Sequence, residues 1–303
     1  MGRESIYDKF IEYKWWTDID KRNVERWLKN FGEKKHVGRF ILDNVIFYSK
    51  EQLGSYTLNV VNQIRGELFE NQEKSKIDSY QNDDYYFEQW EEYKKELKVI
   101  AAANQEDVGS SAFQVIRRYR TLLGEDLVSG INGIEQCIKN GVKEFIFVDD
   151  FSGSGRQMKD FLNLDIEILG KKMKVHDIPK EFPEVNITIA LYVIHKNALE
   201  LFRREFPLLK IKYVDLIDEK IDFLNEKSIF YNNMSREQRN EIIEFISSRR
   251  ETIIRENKKY SSIEKYQLNI PIIFEHGCPN NTLLLLFAET ENWRQLFKLG
   301  EEK

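Results

Sequence analysis

Apolar residues in the first part of the chain recur at helical spacing. Val24, Trp27, Leu28 and Phe31 fall at i, i+3, i+4 and i+7, one face of a helix. Asp20 is a candidate N-cap for that helix and Gly32 a candidate stop. Val37, Phe40, Ile41, Asn44 and Val45 repeat the spacing, and Leu53, Val60, Val61, Ile64 and Leu68 repeat it again. Residues 70–84 are polar and poor in aliphatics, which predicts a loop. The aromatic and acidic run at 85–97 predicts a further helix.

Near Lys98 the pattern changes from periodic to blocked. Residues 99–103 are a short apolar run that stops at the polar segment 104–111. Phe113, Ile116, Tyr119 and Arg120 fit a helix, and 131–140 reads as another, closed by Asn140-Gly141 because glycine tolerates the left-handed conformation that ends helices. Residues 145–148 are continuously apolar, 149–155 read as a loop, and 156–162 open a helix. Further strand-like runs lie at 186–194, 209–214, 270–274 and 283–287, with helical stretches at 198–206 and 235–257. Strands alternating with helices predict an α/β fold with a mostly parallel central sheet covered by helices. The expected organisation is a helical N-terminal region over 1–95 and an α/β domain over 96–303, with a helical insertion around 217–260.

Composition narrows the function classes. The 303 residues are 41% hydrophobic and 32% charged, which suits a globular chain with a real core. A net charge of −5 argues against coating nucleic acid by charge alone, although a local basic patch remains compatible with it. Cys137 and Cys278 are the two cysteines, too few for a cysteine metal site, and reduced thiols are expected. The N-terminus lacks an apolar signal core and no run approaches a membrane span, so the expected location is cytoplasmic and no membrane partner is expected.

The chemistry concentrates at Phe145-Ile146-Phe147-Val148-Asp149-Asp150-Phe151-Ser152-Gly153-Ser154-Gly155-Arg156. An apolar strand delivers two consecutive carboxylates to its carboxyl end, where ligands of parallel α/β sheets bind. Asp149 and Asp150 suit a ribose diol, with its two neighbouring donors. They also suit positive charge developing on a sugar. Side chains on a strand alternate faces, so the two acids are expected to converge only where the chain begins to turn. Ser152, Gly153, Ser154 and Gly155 lack bulk, so their amides and hydroxyls can gather round a phosphate, and Arg156 adds charge.

At these residues the sequence resembles the type I phosphoribosyltransferase family: an apolar strand, two acids, then small and hydroxyl residues opening a helix. The resemblance implies that Asp149 and Asp150 contact the ribose hydroxyls and Ser152 to Arg156 hold the 5-phosphate. It implies phosphoribosyl pyrophosphate (PRPP) or a related nucleotide as ligand, and Mg²⁺ as cofactor, held indirectly by Asp149 and Asp150. Ser110 and Ser111, which follow a strand and precede a helix, stand where this family usually places its pyrophosphate loop; capping of that helix is the equal alternative for each. Two departures are visible. Gly153 stands where several purine-type members carry a carboxylate, and Gln157 stands where many carry Thr or Ser.

The tail Pro271-Ile272-Ile273-Phe274-Glu275-His276-Gly277-Cys278-Pro279-Asn280-Asn281-Thr282-Leu283, followed by Trp293 and Phe297, resembles the PRTase-CE-like subgroup found beside bacterial conflict and antiphage genes. Trp27-Leu28-Lys29-Asn30-Phe31 resembles that subgroup's helical leader. Cys278 replaces a usual Thr, and Phe287 an expected Trp. Asn280, Asn281 and Thr282 are candidates for the base side of a nucleotide, or for a turn of the kind Pro and Asn favour. The resemblance implies a glycosyl- or phosphoribosyl-transfer effector of a defence system, with a partner protein or nucleic acid as a further contact. The rival expectation is a catalytically inactive nucleotide sensor using the same site. His195 and His276 are candidate acid–base groups, and Trp15, Trp16, Trp27 and Phe31 candidate stacking groups. For all six, a structural role is the default.

Overall fold

Aliphatic and aromatic residues fill two long runs around Phe147 and Leu191, and both become central strands of one sheet. The computed structural model describes residues 5–16, 19–73, 83–103, 110–264 and 268–298. Its strands in chain order are β1 (Ile46–Tyr48), β2 (Leu97–Ala101), β3 (Val128–Ser129), β4 (Glu144–Ser152) and β5 (Asp165–Ile168). They continue as β6 (Lys171–Lys174), β7 (Asn186–His195), β8 (Lys210–Ile217) and β9 (Ile272–Phe274). The chain divides into two compact units, Glu51–Leu216 and a discontinuous one formed by Met1–Lys50 with Ile217–Lys303.

The Glu51–Leu216 unit is built on a five-stranded parallel sheet in the order β3-β2-β4-β7-β8. In order of appearance these are the second, first, third, fourth and fifth strands. The winding therefore reverses between β2 and β4. Every residue of β4 from Phe145 onward is buried, as the continuous apolar run requires of a strand covered on both faces. Helices Ala112–Leu123 and Arg156–Leu162 pack on β4, and Lys196–Glu205 packs on β7. Phe145, Phe147, Phe161, Ile187, Ile189 and Phe202 belong to one apolar cluster.

The sequence places the acids at the start of a loop, but β4 continues through them to Ser152. The cause is the neighbour β7, which pairs Asp149 with Leu191 and Ser152 with Ile194. On the other side β2 ends earlier. Ala101 stands opposite Val148, and the Ala102 N–H donates to the Val148 carbonyl at 3.0 Å. Asp149 to Ser152 thus outrun β2 at the reversal point.

Two features of this unit escape the periodicity. Of the loop expected at 70–84, residues 70–73 belong to the helix Lys50–Glu73 and 83–84 open the helix Asp83–Lys95; residues 74–82 lie outside the described set. β5 and β6 form an antiparallel hairpin in which Ile168 faces Lys171. Its two-residue turn, Leu169-Gly170, has positive φ at both positions (53° and 76°), the twist that favours tight hairpins.

In the discontinuous unit, Trp27 and Trp293 lie far apart in sequence. Yet both indole N–H groups donate to the Leu285 carbonyl, at 2.8 and 3.0 Å. Trp27 and Phe31 are 0% and 2% exposed, so they are core residues and not a stacking platform. The helix Lys21–Leu28 is capped by Asp20, as its sequence predicts, and the Asn23 side chain in turn accepts from the Asp20 N–H. β1 and β9 pair in parallel. The strand expected at 283–287 is instead the short helix Leu284–Phe287, buried throughout. A uniformly apolar run does not distinguish a buried strand from a buried helical turn. Among the described residues, no helix is long and apolar enough to cross a membrane.

Candidate functional site

The reversal between β2 and β4 marks where a ligand is expected in an open parallel sheet, beyond the strands' carboxyl ends. Asp149 and Asp150 stand there, 2% and 5% exposed. Although neighbours on a strand point to opposite faces, one atom reaches both acids. Ser111 Oγ lies 2.7 Å from Asp150 Oδ1 and 3.2 Å from Asp149 Oδ1. The Asp150 N–H also donates to Asp149 Oδ1 at 2.9 Å. Ser111 precedes the helix Ala112–Leu123, so the segment after β2 and the end of β4 meet over the two carboxylates.

Burial drives the Asp149 pKa well above the usual carboxylate range, and the charge of Asp150 drives it further. The Asp150 N–H and the Ser111 hydroxyl act in the opposite direction. This is an acid pair held close and dry, a state that diol hydroxyls or a cation would relieve. Two carboxylates are what Mg²⁺ commonly takes from a protein when a substrate's phosphates supply the remaining oxygens. Among the described residues, no group of three or more His, Cys, Asp or Glu is placed to hold a metal ion.

Behind the acids lies a polar layer that the sequence reading missed. Tyr192 on β7 is 1% exposed, and its hydroxyl stands 2.6 Å from Thr57 Oγ1, itself buried. Burial raises the Tyr192 pKa; Thr57 and Arg118 oppose this and the charge of Asp150 adds to it. The available signal was a tyrosine inside the otherwise aliphatic run Leu191 to Ile194. Tyr119 is wholly buried, and its hydroxyl has no hydrogen-bond partner among the described residues.

The turn after β4 is small and tightly set. Gly155 has φ of +78°, and a Cβ there would meet Phe202 Cε1 at 3.2 Å and Ala198 Cβ at 3.3 Å. Glycine is therefore required by conformation and by space. Outside the strand and helix ladders, the backbone N–H groups of Ser154 and Gly155 have no backbone acceptor among the described residues. Ser154 Oγ accepts weakly from the Arg156 N–H at 3.4 Å. Gln157 Nε2 donates to Ser110 Oγ at 3.4 Å, so this departure from the usual Thr or Ser links the turn to the segment after β2.

A parallel sheet with acids and a small-residue turn at its reversal point is the architecture expected of a phosphoribosyltransferase-like protein. The PRTase-CE family matches residues 24–299. The chain belongs to that family. No curated protein matches it.

Within this PRTase-CE chain the remaining candidates separate by unit. Arg156 is exposed, with Nε 3.4 Å from Asp160 Oδ2. Residues 104–109 lie outside the described set, leaving Ser110 and Ser111 as the described end of the expected pyrophosphate segment. His195 is 3% exposed, and its Nδ1 accepts from the Asn197 N–H at 3.1 Å, capping the helix Lys196–Glu205. Asn280, Asn281 and Thr282 belong to the discontinuous unit. Thr282 is fully buried, its hydroxyl donates to the Ile272 carbonyl at 2.6 Å, and its N–H donates to the Pro279 carbonyl at 3.0 Å. Those bonds build a turn. His276 stacks on Phe274 with centroids 5.5 Å apart.

Proposed function

We propose that this PRTase-CE protein binds PRPP, or a nucleotide with the same ribose-5-phosphate, and transfers its phosphoribosyl group. The reading is carried by the acid pair bridged by Ser111 at the reversal of the sheet. In it, Asp149 and Asp150 accept from the ribose diol, and the amides of Gly153, Ser154 and Gly155 surround the 5-phosphate. Each charge-assisted hydrogen bond of this kind contributes about 1.5–3 kcal/mol. Ser152, Ser154 and Arg156 add hydroxyl donors and positive charge. Mg²⁺, held by substrate oxygens and indirectly by the two acids, would neutralise charge on the departing pyrophosphate.

The reaction would break the bond from C1 to the pyrophosphate oxygen, with the electron pair leaving on pyrophosphate. The acceptor's lone pair forms the new bond at C1, and its proton leaves to solvent or to a released phosphate oxygen. The two carboxylates stabilise the positive charge that develops on the sugar between these events. Ser111 keeps them converged, and burial keeps competing water out.

Gly153 supports a second reading, a nucleotide sensor without turnover, because the turn lacks the carboxylate that purine-type members use to take a proton. The tail resemblance alone carries the further proposal of a bacterial antiphage role, with a partner protein or nucleic acid as target. Pyrophosphate release from PRPP and Mg²⁺, measured across nucleobases and RNA acceptors, separates the readings. Transfer predicts release that disappears in Asp149→Asn/Asp150→Asn. Binding with no release under any acceptor would leave the sensor and remove the transferase.

A further inference from the structure

A cavity of about 470 Å³ lies within the unit formed by Met1–Lys50 and Ile217–Lys303. Its size falls in the usual small-molecule range of roughly 300–1,000 Å³. None of its lining residues belongs to the acid-pair site. Part of its wall is aromatic, with contributions from Trp15, Trp16, Phe47 and Phe274, and the rest is largely polar. Trp15 is 50% exposed, whereas Trp16 is 3% exposed and fixed edge-on against Phe297 with centroids 5.0 Å apart. The Trp16 indole N–H is buried and has no acceptor among the described residues. Buried donors in native proteins are nearly always paired, so an acceptor is wanted here.

The charge of the lining is lopsided. Arg26, Arg294 and Lys298 outnumber Glu275 and Glu289. Glu289 is already engaged, its Oε2 accepting from the Gln295 N–H at 2.7 Å and its Oε1 lying 3.5 Å from Arg294. Arg26 and Lys298 are exposed, and neither has a carboxylate partner among the described residues. An aromatic wall next to two cations that outnumber the one remaining carboxylate, Glu275, fits a flat ring that carries an anion. Aromatic faces take bases by stacking, and Arg is suited to phosphate.

We propose that this cavity binds a nucleoside monophosphate, its base against Trp15 and Trp16 and its phosphate toward Arg26 and Lys298. The site goes beyond the phosphoribosyl reading and does not depend on it.

The test is calorimetric titration of the full chain with AMP, adenosine and inorganic phosphate. It is run in wild type and in Asp149→Asn/Asp150→Asn, which disables the acid pair and so keeps the two proposals apart. AMP is expected to bind both proteins. Arg26→Ala, an exposed position that leaves the core intact, should weaken AMP about tenfold or more while leaving adenosine unchanged. Trp15→Ala should weaken both AMP and adenosine, and inorganic phosphate should bind more weakly than AMP. The proposal is overturned if AMP binding is absent, if it vanishes in the Asp149/Asp150 variant, or if Arg26→Ala and Trp15→Ala leave it unchanged.

Discussion

Ser111 and Asp150 meet at 2.7 Å across the point where the parallel sheet reverses its winding. The contact matters because it defeats the alternation of a β-strand. Two successive acids that should diverge are drawn to one hydroxyl, and that hydroxyl belongs to the segment that follows the neighbouring strand.

Removing the bridge tests its worth. Ser111→Ala takes away the donor shared by two buried carboxylates and should push the Asp149 pKa further up. Urea unfolding at neutral pH is expected to show a loss of about 1–3 kcal/mol, the usual cost of leaving a buried polar group unsatisfied. An unchanged midpoint and slope would mean that the acids do not rely on Ser111.

The acid pair should also cost the unliganded protein stability. Asp149 has a folded-state pKa raised above its unfolded value, which is about 3.9. Such a group supports folding fully only below that unfolded value, and the support is lost as pH rises through the folded pKa. Asp149→Asn keeps an acceptor oxygen for Ser111 and for the Asp150 N–H but removes the buried charge. The variant is therefore expected to melt higher than wild type at pH 7, with the difference shrinking as pH falls toward 4. A variant that is less stable than wild type at pH 7 would contradict this account of the pair.

Much of this arrangement is legible in the chain itself. Phe145 to Val148 announce a strand, and the small residues at Ser152 to Gly155 announce the turn into the helix that starts at Arg156. The strand's extension to Ser152 is not legible, because it depends on pairing with β7, a partner distant in sequence. Nor is the Thr57–Tyr192 layer, since a tyrosine in an apolar run looks like core until its hydroxyl's neighbour is known. The shared carbonyl of Leu285 shows the same limit from the other side. The periodicity marks Trp27 as apolar-facing, but only the fold shows that it and Trp293 close on one acceptor. The uniform run at 283–287 reads equally as strand or helix, and tertiary packing decides for the helix.

Gly155 offers a test of the turn's geometry. Gly155→Ala places a side chain at φ +78° and against Phe202 and Ala198. The left-handed conformation alone costs about 1–2 kcal/mol, and the close contacts add to it. Denaturant unfolding should show at least that loss, together with weaker binding of any 5-phosphate ligand. A variant as stable as wild type would mean that the turn readily adopts another shape.

The most direct measurement is calorimetric titration of PRPP with Mg²⁺ into wild type and Asp149→Asn/Asp150→Asn. The phosphoribosyl reading predicts affinity about tenfold or more weaker in the double variant, since it loses charge-assisted contacts to the diol. Equal affinity in the two proteins would contradict it.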